Sequence, residues 1–217
     1  MITKKQVQEV FSSVSKKYDF FLNLVTLRKI DQWQRDLLNM LPYEGNRLDV
    51  GTGTGEVLLK SQNKGIRVGI DLSLEMLKVA RSKCKACKFL VADGENMPFK
   101  DGSFSSISLS LVYRHLLNRK AFLKEAKRVL REDGYIAILD INKFFLTPLL
   151  VFFMKYPLKP LGLLLFGGEK WEFFIHSLEN SLGVEEVKGE LREEGFYVAE
   201  VQRRLFGLVY LILAKKG

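Results

Sequence analysis

The sequence predicts an α/β fold in which seven strands form a mostly parallel sheet with helices on both faces. From Asn46 onward, short apolar strands alternate with helical segments, which is the pattern of a parallel sheet. The strand at 47–50 enters a glycine-rich turn, and the next strand ends at Asp71. The last two strands follow each other around Phe206 and Gly207 as a hairpin, so one of them should run antiparallel to the others.

The chain begins with two predicted helices over residues 3 to 41. Val7, Val10, Phe11 and Val14 recur at helical spacing, and a second apolar pattern extends over 30–41. The segment KKYDFFLNLVTL, residues 16–27, lies between them and is aromatic and apolar where a plain linker would be polar. We therefore interpret it as a lid segment.

The alternating region predicts the remaining elements. Ser73 should cap a helix that follows Asp71, and the pair Asp133 and Gly134 should end another helix. The predicted strands span 47–50, 66–70, 88–91, 104–110, 134–141, 197–203 and 207–214, and the predicted helices span about 54–62, 73–84, 119–130 and 184–194.

Residues 144 to 175 interrupt the alternation with a strongly apolar segment. Its three prolines and its lysines leave no uninterrupted apolar run of about 20 residues, which disfavours a transmembrane helix. Two compatible interpretations are a cap over the active site and a surface that touches a membrane. An apolar segment flanked by basic residues would admit a lipid-like substrate from a bilayer surface.

The glycine-rich turn LDVGTGTGEVLL, residues 48–59, predicts a nucleoside-binding site. Gly51, Gly53 and Gly55 permit a sharp turn and let a ligand lie against the backbone, and the helix expected near Thr54 presents free amides. Asp71 can accept hydrogen bonds from two ribose hydroxyls. The spacing G-x-G-x-G, rather than G-x-G-x-x-G, argues against NAD and FAD and favours S-adenosylmethionine. The alternative is a glycine-rich turn of some other α/β domain.

Composition and charge set broader bounds. The 217 residues are enough for one ordinary domain, and 47% hydrophobic with 27% charged residues is globular composition. A net charge of +9 at pH 7 is compatible with nucleic acid or an anionic membrane as partner, and equally with a lysine-rich surface of no special function. The N-terminus lacks the apolar region of a signal peptide, so we expect a cytoplasmic protein, with peripheral contact at the inner face of the membrane as a further option.

Cys84 and Cys87 form the motif C-K-A-C. Such a pair fits redox chemistry or half of a zinc site, but no second pair accompanies it and both histidines are distant in sequence. We expect a structural or incidental role and no metal.

Taken together, these motifs resemble the S-adenosylmethionine-dependent methyltransferases of the seven-stranded, Rossmann-like class. Within it, the chain is similar to the quinone-biosynthesis C-methyltransferases, which act on demethylmenaquinone or the benzoquinone precursor of ubiquinone. The class resemblance rests on LDVGTGTG, VGIDLSLEMLKVAR, VADGENMPFKDGSFSSISLSL and EAKRVLREDGYIAILDI, and the closer one on VFSSVSKKYD, on Arg114 after SLSLVY, and on FFIHSLENSLGVEEVKGELREEGF. It implies one methyltransferase domain over 1–217, with an N-terminal lid at 1–41, a cofactor-binding core at 46–141, a cap insertion at 142–182, and a C-terminal helix and hairpin at 183–217.

The resemblance also implies a set of cofactor contacts. Asp71 would bind the ribose, Asp93 and Gly94 the adenine, and Ser110 the methionine end, while Tyr18 and Asp19 would close over the cofactor from the lid. Asp93 is alternatively a turn residue, and Tyr18 either faces the sulfonium or only packs. The full expected set is Tyr18, Asp49, Gly51, Thr52, Gly53, Thr54, Gly55, Asp71, Leu72, Met76, Asp93, Gly94 and Ser110, with S-adenosylhomocysteine as the product.

Carbon methylation of a hydroquinone needs an electron-rich ring, which loss of a phenolic proton supplies. His115 and His176 are candidate general bases, and Arg114 is a candidate to stabilise the phenolate. A structural role is the alternative for each histidine. The family usually has Asn where this chain has His115, has a glycine and a histidine in the turn that here reads TLRKID, and differs in the cap around 144–170. These differences from the family pattern leave the prediction of the cofactor unchanged and affect the prediction of the methyl acceptor.

Three other functions stay open. A nucleic-acid methyltransferase is suggested by the basic clusters RSKCKACK and 114–131, although SLVYRH lacks the Asn/Asp-Pro-Pro-aromatic motif of base-amino methylation and a catalytic cysteine. A methyltransferase that acts on a different small molecule is the second. A cofactor-binding subunit without catalysis is the third.

Overall fold

The computed structural model describes residues 3–26 and 28–217, and in this part of the chain the side chains of 14–18, 21, 24 and 25 are left undescribed. A seven-stranded sheet has the order β3-β2-β1-β4-β5-β7-β6. All neighbouring strands are parallel except β7, which is antiparallel to both β5 and β6. The predicted mostly parallel sheet with a reversed hairpin strand is therefore confirmed.

The elements follow in chain order. The strands are β1 (Arg47–Val50), β2 (Arg67–Asp71), β3 (Lys88–Val91), β4 (Phe104–Ser110), β5 (Leu130–Ile141), β6 (Phe196–Arg204) and β7 (Val209–Lys216). The helices are α1 (Lys4–Val25), α2 (Lys29–Asn39), α3 (Glu56–Lys60), α4 (Leu74–Lys83), α5 (Arg119–Val129), α6 (Thr147–Lys155), α7 (Lys159–Phe166), α8 (Gly168–Glu179) and α9 (Val184–Glu193).

Two predicted helix boundaries in the core are wrong. The helix expected over 54–62 is the short α3, which begins only at Glu56 because the glycine turn uses positive φ angles up to Gly55. The pair Asp133 and Gly134 does not end a helix, since α5 stops at Val129 and β5 already pairs with β4 at Leu130. Asp133 and Gly134 instead lie in an irregular stretch of β5, before regular pairing resumes at Tyr135.

The helix N-cap predicted at Ser73 is confirmed. Ser73 caps α4, its Oγ accepting from the Met76 N–H at 3.2 Å. This contact fixes where the chain turns after β2, directly behind Asp71.

The segment predicted to link the first two helices belongs to α1 itself. This helix runs without a break from Lys4 to Val25, so residues 16–25 of the expected lid segment are helical, and Leu27 lies outside the described residues. Apolar residues are favoured here because the helix packs on the core: Leu22 contacts the cluster that contains Ile30 and Val209. Val10 and Phe11, nearer its start, pack against the cap.

The cap insertion folds as three helices, α6 to α8, around its own small core. Trp171 is fully buried there, among Met154, Phe166, Phe174 and Ile175. Across the described residues no single helix is long and apolar enough to cross a membrane, while α6 and α7, bent by 66° relative to each other, pass that test only as a pair.

Candidate active site

The chain reverses its direction across the sheet between β1 and β4, and ligands of open α/β sheets bind at the carboxyl ends of the strands at such a point. An open cavity lies there, and its empty space, counted together with the part that is open to solvent, is about 1280 Å³. The predicted site residues that line it are Asp49, Gly51, Thr52, Gly53, Thr54, Asp71, Leu72, Met76, Asp93, Gly94, Ser110 and His115.

The glycine turn forms the floor of the cavity. Gly51 and Gly53 have φ angles of 64° and 52°, a region that side-chain-bearing residues rarely adopt. A Cβ on Gly51 would lie 2.5 Å from the Val112 Cγ2, whereas a Cβ on Gly53 would meet no protein atom within 4 Å. The open space beside Gly53 is where a ligand can lie directly against the backbone.

Asp71 ends β2 with its carboxylate at the rim of this turn. Its Oδ2 accepts from the Gly53 N–H at 2.9 Å and its Oδ1 from the Ser73 N–H at 2.8 Å. Burial raises the pKa of this carboxyl, and the two backbone N–H groups partly offset that effect. Each carboxylate oxygen keeps a second lone pair, so Asp71 can also accept from two ribose hydroxyls.

Asp93 and Gly94 follow β3 on the next part of the rim. The Asp93 Oδ1 accepts from the Glu95 N–H at 2.9 Å, while the Lys4 Nζ from α1 lies 2.6 Å from the Asp93 Oδ2 and 2.5 Å from the Glu95 Oε2. A Cβ on Gly94 would lie 2.7 Å from the Val50 Cγ1, so this position needs a residue without a side chain. The arrangement leaves a carboxylate and a backbone amide available to a flat heterocycle, with Lys4 competing for the carboxylate.

Asp49 lies beneath the glycine turn on β1 and is buried. The Ser108 Oγ donates to its Oδ1 at 2.6 Å across the β1–β4 pair. Burial raises the pKa of Asp49 to about 6, and the Ser108 hydroxyl and the Arg47 charge only partly offset the increase. A cationic ligand in the cavity would therefore favour the ionised form of this carboxyl.

The two N-terminal helices cover the side of the cavity near Thr54 and Ser110. The Thr54 Oγ1 donates to the Asp19 Oδ1 at 2.8 Å, and the Lys83 Nζ lies 2.7 Å from the Asp19 Oδ2. From α2, the Gln34 Nε2 donates to the Ser110 Oγ at 3.3 Å. These contacts hold α1 and α2 against the strand ends and put polar groups around that part of the cavity.

His115 faces the cavity beyond the end of β4, among aromatic rings. Its imidazole makes an edge contact with Phe11 at 5.3 Å between centroids and stacks on Phe173 at 5.8 Å. The Ser177 Oγ from the cap lies 3.4 Å from its Nε2. Burial and the nearby Arg114 charge hold the pKa of His115 well below its usual value, so the ring is neutral at physiological pH.

Arg114 is held by the protein and does not line the cavity. Its guanidinium forms an ion pair with the fully buried Asp140, whose Oδ2 also accepts from the Arg114 backbone N–H at 3.1 Å. The Nε donates to the Ser177 Oγ at 3.0 Å and the Nη1 to the Leu111 carbonyl at 3.0 Å. The Ser177 hydroxyl therefore contacts both Arg114 and His115. Arg114 influences the cavity through its positive charge and through its hydrogen bond to Ser177.

The comparisons with known proteins agree with this geometry. A model of the ubiE/COQ5 methyltransferase family matches residues 1–216. The chain belongs to that family. A demethylmenaquinone methyltransferase from Thermotoga maritima is 30% identical over 208 residues, which cover 91% of this chain and 90% of the relative. A ubiquinone/menaquinone biosynthesis C-methyltransferase from Geotalea daltonii is 36% identical over 162 residues, covering 69% of this chain and 67% of the relative.

Solved structures support the fold. A structure from Thermotoga maritima, described as a SAM-dependent methyltransferase and possible histamine N-methyltransferase, superposes with a TM-score of 0.72 at 19% identity and covers 97% of this chain and 99% of that one. A putative methyltransferase from Haloferax volcanii, solved with its Trm112 activator, gives a TM-score of 0.71 at 18% identity over 94% of this chain and 96% of that one. The chain is an S-adenosylmethionine-dependent methyltransferase, and S-adenosylhomocysteine is its product.

The residues present fit this cofactor. The open space at Gly53, the Asp71 carboxylate and the Asp93–Gly94 turn match a backbone-close nucleoside, a ribose and an adenine in one continuous cavity. Gly55, unlike Gly51 and Gly53, does not line the cavity, and a Cβ there would lie 3.0 Å from the Ala80 Cβ.

Other predicted residues lie away from the cavity or outside the description. His176 is on the outer side of α8, with its side chain 60% exposed and its Nδ1 3.6 Å from Glu179, so the structure does not bring it together with His115. The side chain of Tyr18 lies outside the described residues. Cys84 and Cys87 form a disulfide, and no group of three or more metal-ligating side chains occurs in residues 3–26 and 28–217.

The sequence interpretation did not include several residues that contact the predicted site residues. Gln34 carries a readable signal, since it interrupts the apolar stripe of α2 between Ile30 and Leu37. Lys4, Asp140 and Ser177 carry none, because their roles depend on contacts with residues far away in sequence.

Proposed function

We propose that this methyltransferase transfers a methyl group to a ring carbon of a reduced quinone precursor of the demethylmenaquinone type. The observation that carries the proposal is the aromatic and apolar acceptor end of the cavity, with a neutral histidine in it. Relatives named as quinone-biosynthesis C-methyltransferases support the same substrate class. A flat hydroquinone fits between aromatic side chains better than a charged or strongly polar acceptor would.

The acceptor end of the cavity is built from α1 and from the turn after β4. Val7 and Phe11 line it from one side and His115, Leu116 and Leu117 from the other, next to the part assigned to the cofactor. These groups exclude water and hold an acceptor ring in one orientation. Alignment and exclusion of water are what an in-line methyl transfer requires of the protein.

When bound, S-adenosylmethionine supplies an electrophilic methyl group on a sulfonium. The protein has to make the acceptor carbon nucleophilic, and we assign that task to His115, which would accept the proton of a phenolic hydroxyl. The ring carbon would then bond to the methyl group while the electrons of the broken sulfur–methyl bond stay on S-adenosylhomocysteine. Loss of the hydrogen on that carbon as a proton, with reprotonation of the phenolic oxygen, restores the aromatic ring. The low pKa keeps the imidazole in its neutral form at physiological pH, which is the form that can accept a proton. The Arg114 charge, fixed by Asp140, favours the phenolate that results. Ser177 positions the imidazole through its contact with Nε2.

The cap supports a lipid-like acceptor taken from a membrane surface. Its inner face packs on Met76 and on α1, while the outer face of α6 and α7 leaves Leu149, Phe152 and Leu164 exposed. Helices that are apolar all round are ordinarily buried in protein or in lipid. We therefore propose that the outer face contacts the bilayer peripherally, at the inner face of the membrane.

The test is a methyl-transfer assay with isotopically labelled cofactor and three acceptors: a short-chain demethylmenaquinol kept reduced, RNA, and a panel of small amines and phenols. We expect label only in the demethylmenaquinol and none when the same compound is kept oxidised, because the oxidised ring has no phenolic proton to lose. Label in RNA or in an amine, with none in the quinol, would contradict the proposal.

Two variants test the proposed role of His115 as the general base. We expect His115→Ala to lower kcat about 100-fold, the lower range for loss of a general base. Its remaining rate should rise with pH, because the acceptor's own ionisation then supplies the phenolate. His176→Ala is the matched control and should keep full activity, since that histidine is exposed on α8. A pH-independent His115→Ala rate close to that of the unmodified enzyme would exclude His115 as the base.

A further inference from the structure

The turn between β6 and β7 exposes an aromatic side chain on a strained backbone. Leu205 and Phe206 have φ angles of 49° and 54°, and Gly207 follows with 95°. Bulky residues rarely adopt this region, where asparagine or glycine would be tolerated at lower cost. Phe206 is also 95% exposed. Both the backbone strain and the hydrated ring are unfavourable.

This turn lies beside the first residues of the cap. The Asn142 N–H donates to the Leu208 carbonyl and its Nδ2 to the Gly207 carbonyl, each at 2.8 Å. Three residues after Asn142, Phe145 is 83% exposed. The exposed aromatic side chains of the turn and of the cap therefore lie near the same end of the sheet, where β5 ends.

The same end of the sheet also borders the cavity. Leu22 and Ile30 line the cavity and also pack in the cluster that includes Leu208, next to the turn. A surface that contacted both Phe206 and the cap would thus lie close to the part of the cavity that α1 and α2 line.

The charge of this region identifies the partner. Residues 143–166, from the start of the cap to the end of α7, contain Lys143, Lys155 and Lys159 and no acidic residue. Arg203, half exposed and 3.6 Å from the Glu185 carboxylate, comes just before the turn, and Lys155 lies 2.7 Å from the Glu179 carboxylate, so Lys143 and Lys159 contribute most of the positive charge. Apolar side chains framed by cations match the boundary between acyl chains and anionic headgroups.

We propose that the β6–β7 turn is a second membrane anchor, in which Phe206 inserts into an anionic phospholipid surface beside the cap. The proposal rests on the peripheral contact assigned to the cap above and adds a separate element to it. The two anchors orient the enzyme so that the approach to its cavity faces the bilayer, from which an apolar acceptor can enter without crossing water.

A tryptophan reporter tests insertion directly. Trp33 and Trp171 are buried, so Phe206→Trp adds an exposed indole whose emission reports its surroundings. With vesicles of equal parts phosphatidylcholine and phosphatidylglycerol, we expect a blue shift and quenching by brominated lipid. The matched control is Tyr197→Trp, because Tyr197 is an exposed aromatic near the start of β6, at the end of that strand opposite to the turn, and should show neither effect. An unshifted Phe206→Trp spectrum on vesicle-bound protein would overturn the anchor and leave the contact of the cap intact.

A second variant separates binding from folding. Phe206→Asn relieves the left-handed backbone, so we expect a higher melting temperature together with vesicle partitioning weakened about tenfold, the effect of losing one inserted ring. Unchanged partitioning would count against the anchor. If the unmodified protein does not sediment with these vesicles at all, the peripheral contact and the anchor both fail, while methylation of a short-chain acceptor in solution still tests the proposed reaction.

Discussion

Replacement of Asp71 by asparagine tests the cofactor site most sharply, because it changes charge without changing shape. The Asp71 carboxylate accepts two backbone N–H groups and has two lone pairs left for the ribose. The substituted asparagine has a single side-chain oxygen, and its amide group would face either the Gly53 or the Ser73 N–H. The variant therefore loses at least one charge-assisted ribose hydrogen bond and weakens the other.

The size of the effect follows from those bonds. Hydrogen bonds to charged groups contribute about 1.5–3 kcal/mol each, so the loss should be about 3 kcal/mol, or roughly 100-fold in Kd. S-adenosylmethionine and S-adenosylhomocysteine carry the same ribose, so both should lose affinity equally. The ligand-free protein should lose only about 1 kcal/mol in free energy of unfolding, because one backbone N–H is left without its acceptor.

Isothermal titration with both ligands measures the prediction. Asp101→Asn is the matched control, since that carboxylate is exposed and pairs with Arg128 at the surface. A change in Kd of less than threefold for Asp71→Asn would refute the assignment of Asp71 to the ribose. A loss confined to one of the two ligands would instead place Asp71 near the sulfur.

Three further predictions concern groups around the cavity. Gly51→Ala would place a Cβ 2.5 Å from Val112 on a backbone with positive φ. Titration calorimetry should therefore show that S-adenosylhomocysteine binding is lost. Chemical denaturation should show that the free energy of unfolding falls by at least about 1–2 kcal/mol. Asp49 binds its proton more tightly in the folded state, so the melting temperature should fall as the pH rises from 3.8, the usual pKa of an aspartate, through about 6. Asp49→Asn removes this titration and should make that fall smaller. An unchanged pH profile of the melting temperature would contradict the raised pKa of Asp49. Asp140→Asn leaves Arg114 without its counter-charge and should cost about 3 kcal/mol in free energy of unfolding, and a loss below about 1 kcal/mol would show that the pair is not a structural ion pair.

The strand pattern and the glycine turn were readable from local sequence because each depends on a local cause. The alternation of short apolar strands and helices predicts the sheet, and Gly51 and Gly53 adopt the positive φ angles that a turn of this kind needs. Ser73 was readable for the same reason, since a helix cap involves only residues three apart. The family resemblance added Asp93 and Gly94, which the structure brings to the same cavity.

Other features depend on contacts that no local pattern encodes. The position of segment 16–25 between two helical patterns indicates a connecting lid, yet the segment is helical because it packs over the cavity and against the last strands. Asp133 and Gly134 give a helix-end signal that the β4–β5 pairing overrides. The Asp140–Arg114–Ser177 connection joins the core to the cap across distant parts of the chain, so it is visible only in the folded protein.

The position of the transferred methyl group directly tests the proposal that the enzyme methylates a ring carbon of a reduced quinone precursor. The enzyme would be supplied with S-adenosylmethionine carrying a carbon-13 methyl group and with a short-chain demethylmenaquinol kept reduced, and the extracted product examined by nuclear magnetic resonance. We expect a single labelled methyl group bonded to a ring carbon. A labelled methyl group on a phenolic oxygen, or no labelled product from an enzyme that binds S-adenosylhomocysteine, would contradict it.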